Sequence, residues 1–111
     1  MVMDFILPSL YTTICAAAQL LWSLGCNPDA WNRLRRSPEL VASAAVEAVR
    51  LASPVRAFTR RLARDEEIDG IRLRRGERLA FLYASANVDE RQFPNPERFD
   101  LDRRGANVGW G

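Results

Sequence analysis

The sequence contains no lysine and no histidine, so arginine carries all of its basic charge. Without histidine there is no imidazole general base and no Ser-His-Asp triad. Two cysteines, Cys15 and Cys26, are too few for a disulfide framework. With no histidine beside them they also make a poor zinc site, and they read as small buried hydrophobes. Sixteen arginines against 14 acidic residues leave a net charge of +2. That balance excludes a dedicated nucleic-acid surface, which clusters bases away from acids. Here Arg60, Arg61 and Arg64 run straight into Asp65, Glu66 and Glu67. Internal repeats, low-complexity segments and flexible linkers are also missing. What remains is 111 residues, 48 % of them hydrophobic, enough for one small folded domain with a modest core.

Charge is absent from Phe5 to Pro28, a run long enough to suggest a membrane helix. Ser23-Leu24-Gly25-Cys26 even resembles a lipoprotein cleavage site. The leader Met-Val-Met-Asp, however, carries an acid and no base, which is wrong for a signal peptide. Pro8, Ser9, Tyr11, Thr12, Thr13 and Gln19 lower the hydropathy. The favoured reading is a helix apolar nearly all round, buried inside a larger protein, with no membrane partner and a cytoplasmic location.

The pattern predicts a first helix over roughly 8–24, ended by Gly25. Asn27-Pro28 starts a second helix whose arginines suit its C-terminal end. Ser37-Pro38 repeats that signal for a third, roughly 38–51, and Ser53-Pro54 stops it. After Pro54 the period changes. Residues 55–63 read as a strand, and 66–73 as a hairpin turning at Asp69-Gly70. Residues 78–83 read as a third apolar strand. Short irregular structure follows from Ser85, and the segment from Phe93 is held extended by Pro94 and Pro96. The expected fold class is α+β: helices, a small sheet, then coil.

Glu47 and Arg50 lie three apart in VEAVR, so both point to one helix face. Alone they are an ordinary surface ion pair worth a few tenths of a kcal/mol, on the order of 0.3. They are followed by FPNPERFDLDR and, farther on, by VGWG, and preceded by Thr12-Thr13 in the long apolar helix. In this order and at these spacings the chain resembles the cytochrome P450 family, the haem-thiolate monooxygenases, in its bacterial soluble branch. The resemblance covers nearly the whole chain. It implies a fragment of the mostly helical P450 fold. Residues 1–26 would be the C-terminal part of the central helix and 27–53 two helices including E-x-x-R. Residues 54–84 would be the small sheet, and 85–111 the meander and the start of the haem loop.

By the same resemblance, Thr12 matches the threonine that delivers protons to oxygen on the haem. The family's acid just before it is here Tyr11, and a phenol is a poor relay at neutral pH. Glu47, Arg50 and Arg98 match three residues that form a buried ionic cluster with a structural role. A carboxylate between two forked guanidiniums satisfies most of its lone pairs. Arg60 falls at the arginine that pairs with a haem propionate, with Arg56 and Arg61 as rivals. Val55, Ala57 and Phe58 would line the substrate side, though their alternation also fits simple packing.

Trp110 stands at the aromatic position of the haem loop, and Gly111 follows it. The cysteine that ligates iron would come about six residues later, and neither Cys15 nor Cys26 matches it. The expectation is therefore a remnant or partial monooxygenase, inactive alone, with haem as the family cofactor. The family reaction inserts one oxygen atom from O2 into an apolar small molecule, using electrons from a redox partner. A small non-catalytic binding or scaffold module, or a membrane-tethered small protein, is the alternative.

Overall fold

The computed structural model describes residues 2–103. Helix α1 spans Val2–Cys26, α2 Pro28–Arg36 and α3 Val41–Ala52, with a 3-10 turn over Pro38–Leu40 leading into α3. Strands β1 (Phe58–Arg61), β2 (Glu66–Ile68), β3 (Ile71–Leu73) and β4 (Arg78–Phe81) follow, then a single helical turn α4, Tyr83–Ala86. Residues 87–103 are turns and coil.

Helix α1 begins six residues before the expected start at Pro8, which lies inside it. Pro8 lies past the first turn, so its missing N–H removes one bond from the helical ladder, a loss the helix carries. Helix α2 follows its sequence signals. Pro28 occupies the first turn, Asp29 is near the positive end, and Arg33, Arg35 and Arg36 are in the last turn. Helix α3 ends at Ser53, a non-glycine residue in the left-handed region (φ 39°). Its N–H still bonds to the Val49 carbonyl at 2.9 Å.

The β region is two separate two-stranded ladders rather than one small sheet. β2 and β3 form the hairpin, with Ile68 opposite Ile71. Asp69 (φ 49°) and Gly70 (φ 79°) turn it, the paired positive angles of a tight hairpin turn. β1 and β4 pair outside it, antiparallel, with Phe58 opposite Phe81 and Arg61 opposite Arg78. The hairpin is thus inserted between the two strands of the longer ladder.

The core is small. Its buried apolar side chains among the described residues are Leu24, Ala44, Ala48, Phe93 and Leu101. Helix α1 packs chiefly on α3, where Ala44 and Ala48, one turn apart, let the two backbones approach. Much of α1 is left uncovered by these residues, as expected of a helix that packs inside a larger protein. Ile6, Leu10, Tyr11, Ile14, Leu21 and Trp22 are all exposed.

Candidate functional site

The most deeply buried polar groups gather where α3 meets the coil. Glu47 and Arg50 are 3 % and 1 % exposed. Spacing of three on α3 lets Arg50 fork onto the carboxylate, Nε donating to Oε2 at 2.7 Å and Nη2 to Oε1 at 2.8 Å. Arg50 Nη1 donates to the Asn87 carbonyl at 2.6 Å. Its guanidinium lies 5.2 Å from the centre of the Phe93 ring.

The second guanidinium on Glu47 belongs to Arg103, whose Nε donates to Oε1 at 2.9 Å. Arg98, expected in that place, is exposed and enters through its backbone. Its carbonyl accepts from Arg50 at 3.4 Å and from Arg103 at 3.2 Å. The cause is a turn. Asn95 has φ 50° and its carbonyl accepts from the Arg98 N–H, which turns the Arg98 carbonyl inward. The chain then runs past the carboxylate, where Asp100 N–H donates to Oε1 at 3.2 Å. Arg103 arrives next and also donates to the Pro94 and Asn95 carbonyls.

Burial pushes the Glu47 carboxyl up. The hydrogen bonds and charges of Arg50 and Arg103 together outweigh that and hold it below its ordinary value. A neighbouring layer closes the network. Asn87 donates through Nδ2 to the Ser53 hydroxyl at 2.9 Å, and Ser53 donates to the Arg50 carbonyl at 2.8 Å. Ser53, Asn87, Phe93 and Arg103 were not singled out in the sequence. Only Ser53 had a local signal, the proline after it.

The other candidates lie apart from this cluster. On α1 the Thr12 hydroxyl donates to the Pro8 carbonyl at 2.8 Å and lies 3.3 Å from that of Ser9. Thr13 donates to the Ser9 carbonyl at 2.6 Å. Tyr11 is exposed beside them. Arg60 is on β1, its guanidinium 4.5 Å from the centre of the Phe58 ring, with Nη1 donating to the Thr59 carbonyl at 3.2 Å. Arg61 donates to the Gly76 carbonyl, and Arg56 is exposed just before the strand. Val55 is half-buried, while Ala57 and Phe58 are exposed. Cys15 is half-buried and Cys26 exposed. Trp110 and Gly111 lie outside the described residues. Among the described residues, no group of three or more His, Cys, Asp or Glu side chains is placed to hold a metal ion.

The family model for cytochrome P450 matches residues 38–104, the stretch that contains the whole ionic cluster. The chain belongs to the cytochrome P450 family. It is 40 % identical over 101 residues to linalool 8-monooxygenase of Pseudomonas putida, covering 90 % of this chain and 25 % of that one. It is 41 % identical over 86 residues to a steroid C26-monooxygenase of Rhodococcus jostii, covering 77 % and 18 %. Among solved structures, CYP108D1 from Novosphingobium aromaticivorans superposes with a TM-score of 0.86 at 32 % identity. That match covers 91 % of this chain and 25 % of the other. This P450 chain therefore spans about a quarter of the length of such relatives. Haem is the cofactor of its family.

The residues of this P450 chain fit haem in one respect. Arg60 spends one donor on a neighbouring carbonyl, which leaves most of its fork for a carboxylate. Both thiols, Cys15 and Cys26, sit on α1.

Proposed function

We propose that these residues form part of a cytochrome P450 monooxygenase that inserts one oxygen atom from O2 into an apolar small molecule. A protein redox partner supplies the electrons, and the setting is the cytoplasm. The observation that carries this reading is the buried Glu47–Arg50–Arg103 cluster inside the matched family segment. The names of two relatives, a linalool and a steroid monooxygenase, support an apolar substrate.

On this reading α1 is the C-terminal part of the family's central helix, and α2 and α3 are the two helices that follow. Residues 54–84 are the small β region and 85–111 the meander that leads into the haem loop. Bound haem supplies the redox-active iron at which O2 is activated. Arg60 binds a haem carboxylate, and Val55, Ala57 and Phe58 offer an apolar wall to substrate. Thr12 holds its hydroxyl proton against the Pro8 carbonyl and keeps its oxygen lone pairs for a proton donor. Tyr11 beside it is no carboxylic acid, so proton delivery along α1 is weak. Trp110 and Gly111 open the haem loop. The ionic cluster does no chemistry: it fixes the coil before that loop to α3.

Thiolate ligation is the family's requirement, and Cys15 and Cys26 are the two thiols of these 111 residues. Neither is assigned to iron, so this polypeptide by itself has no monooxygenase activity. The test is a haem titration followed by a reduced carbon-monoxide spectrum. Haem uptake without the sulfur-ligated band is expected. A sulfur-ligated band would overturn the assignment of the thiols, and no uptake would overturn the haem reading. A non-catalytic scaffold module would give a cooperative melt and no haem uptake. The membrane-tether reading lacks a span to rest on: no helix among the described residues is long and apolar enough to cross a membrane.

A further inference from the structure

Opposed residues of an antiparallel ladder, and alternate residues along each strand, share one face. With Phe58 opposite Phe81 and Arg60 opposite Leu79, these four side chains make up one face of the β1–β4 ladder. That face is apolar and aromatic with one cation on it. The Arg60 guanidinium lies 4.5 Å from the centre of the Phe58 ring. Phe81 carries the aromatic surface on to Tyr83, with ring centres 6.4 Å apart and planes 26° apart. Among the described residues, the Arg60 side chain makes one hydrogen bond, to the adjacent Thr59 carbonyl. It has no carboxylate partner among the described residues.

We infer that Phe58 is a positioning residue for Arg60, holding its guanidinium against the ring so that the N–H edge is presented to a ligand carboxylate. The inference rests on reading Arg60 as the arm that binds a haem propionate. A guanidinium attracted to the face of an aromatic ring keeps its in-plane donors available. A long arginine side chain otherwise loses rotamer freedom when it binds, and a stacked one has already lost much of it. The same geometry separates Arg60 from its two rivals. Arg61 lies on the opposite face of the ladder, directly across from Arg78, and donates to the Gly76 carbonyl. Arg56 precedes the strand and has no aromatic partner among the described residues.

The test compares haemin with its dimethyl ester, which has the same ring and no carboxylates, by optical titration. Wild-type protein should bind haemin more tightly than the diester. Phe58→Leu should weaken haemin binding by about two- to five-fold, the range of an exposed cation–π contact, and leave the diester unchanged. Phe58→Tyr should restore haemin binding. Arg60→Gln should weaken haemin binding and make a further Phe58→Leu change silent. If Arg60→Gln weakens haemin binding while Phe58→Leu alone does not, Phe58 does not position Arg60 and the reading of Arg60 survives. If Phe58→Leu weakens haemin and diester equally, the ring is only a wall and the inference fails. If Arg60→Gln changes nothing, the reading of Arg60 itself is wrong.

Discussion

Glu47 is a carboxylate almost sealed from water, and its stability depends on two arginines. Its folded pKa lies below the ordinary 4.5 because Arg50 and Arg103 outweigh the effect of burial. A carboxyl with a depressed folded pKa stabilises the fold fully above its unfolded value. That contribution is lost as pH falls through the folded value. The urea midpoint of the wild type should therefore drop as pH is lowered below about 4.5. Glu47→Gln, already destabilised, should show a flatter profile over the same window. Equal slopes would mean that Glu47 titrates alike folded and unfolded. Asp89, pulled from 3.8 down to about 2 by Arg91, adds its own loss as pH falls below about 3.8. Half of the Glu47 site was legible in the sequence. The Arg50 contact is set by helix spacing alone, which is local. The Arg103 contact depends on the left-handed Asn95 and the turn after it, and nothing in PERFDLDR distinguishes Arg98 from Arg103 without that turn.

At the scale of elements, the turn chemistry makes the sharpest prediction. Gly70 has φ 79° and open space where a Cβ would go. Gly70→Ala should then cost about 1 kcal/mol, the price of a left-handed side-chain residue, visible as a lower melting temperature. No change would show that the turn relaxes freely. Helix α2 is tied to the coil by a forked ion pair between Arg33 and Asp102, both largely exposed. Asp102→Asn should therefore have only a small effect on stability, and salt should erase it. The helices and the hairpin were legible because caps, prolines and Asp-Gly are local signals. Two features were not. Pro8 marks a helix start only if the residues before it refuse to be helical, and they do not. Strand partners at 58 and 81 are set by closure of a ladder around the hairpin, which short-range pattern does not encode.

Across the whole molecule, the described residues form a thin body, 53 × 38 × 20 Å, with few buried apolar side chains. One side of α1 is left open, with Leu21 and Trp22 at 66 % and 71 % exposure. Surface of that kind drives association. Sedimentation of the 111-residue polypeptide should show concentration-dependent self-association, reduced by Leu10→Glu with Ile14→Glu. A monomer at every concentration would contradict the exposure of α1. What joins the distant parts of the chain is the contact of Glu47 with Arg103, 56 positions apart. Removing one partner of such a buried pair costs on the order of 3–5 kcal/mol. The most direct test is a double-mutant cycle in urea with Glu47→Gln, Arg103→Gln and Arg98→Gln. Glu47 and Arg103 should couple by about 1 kcal/mol or more, while Glu47 and Arg98 add within roughly 0.5. Coupling to Arg98 with independence from Arg103 would contradict the account.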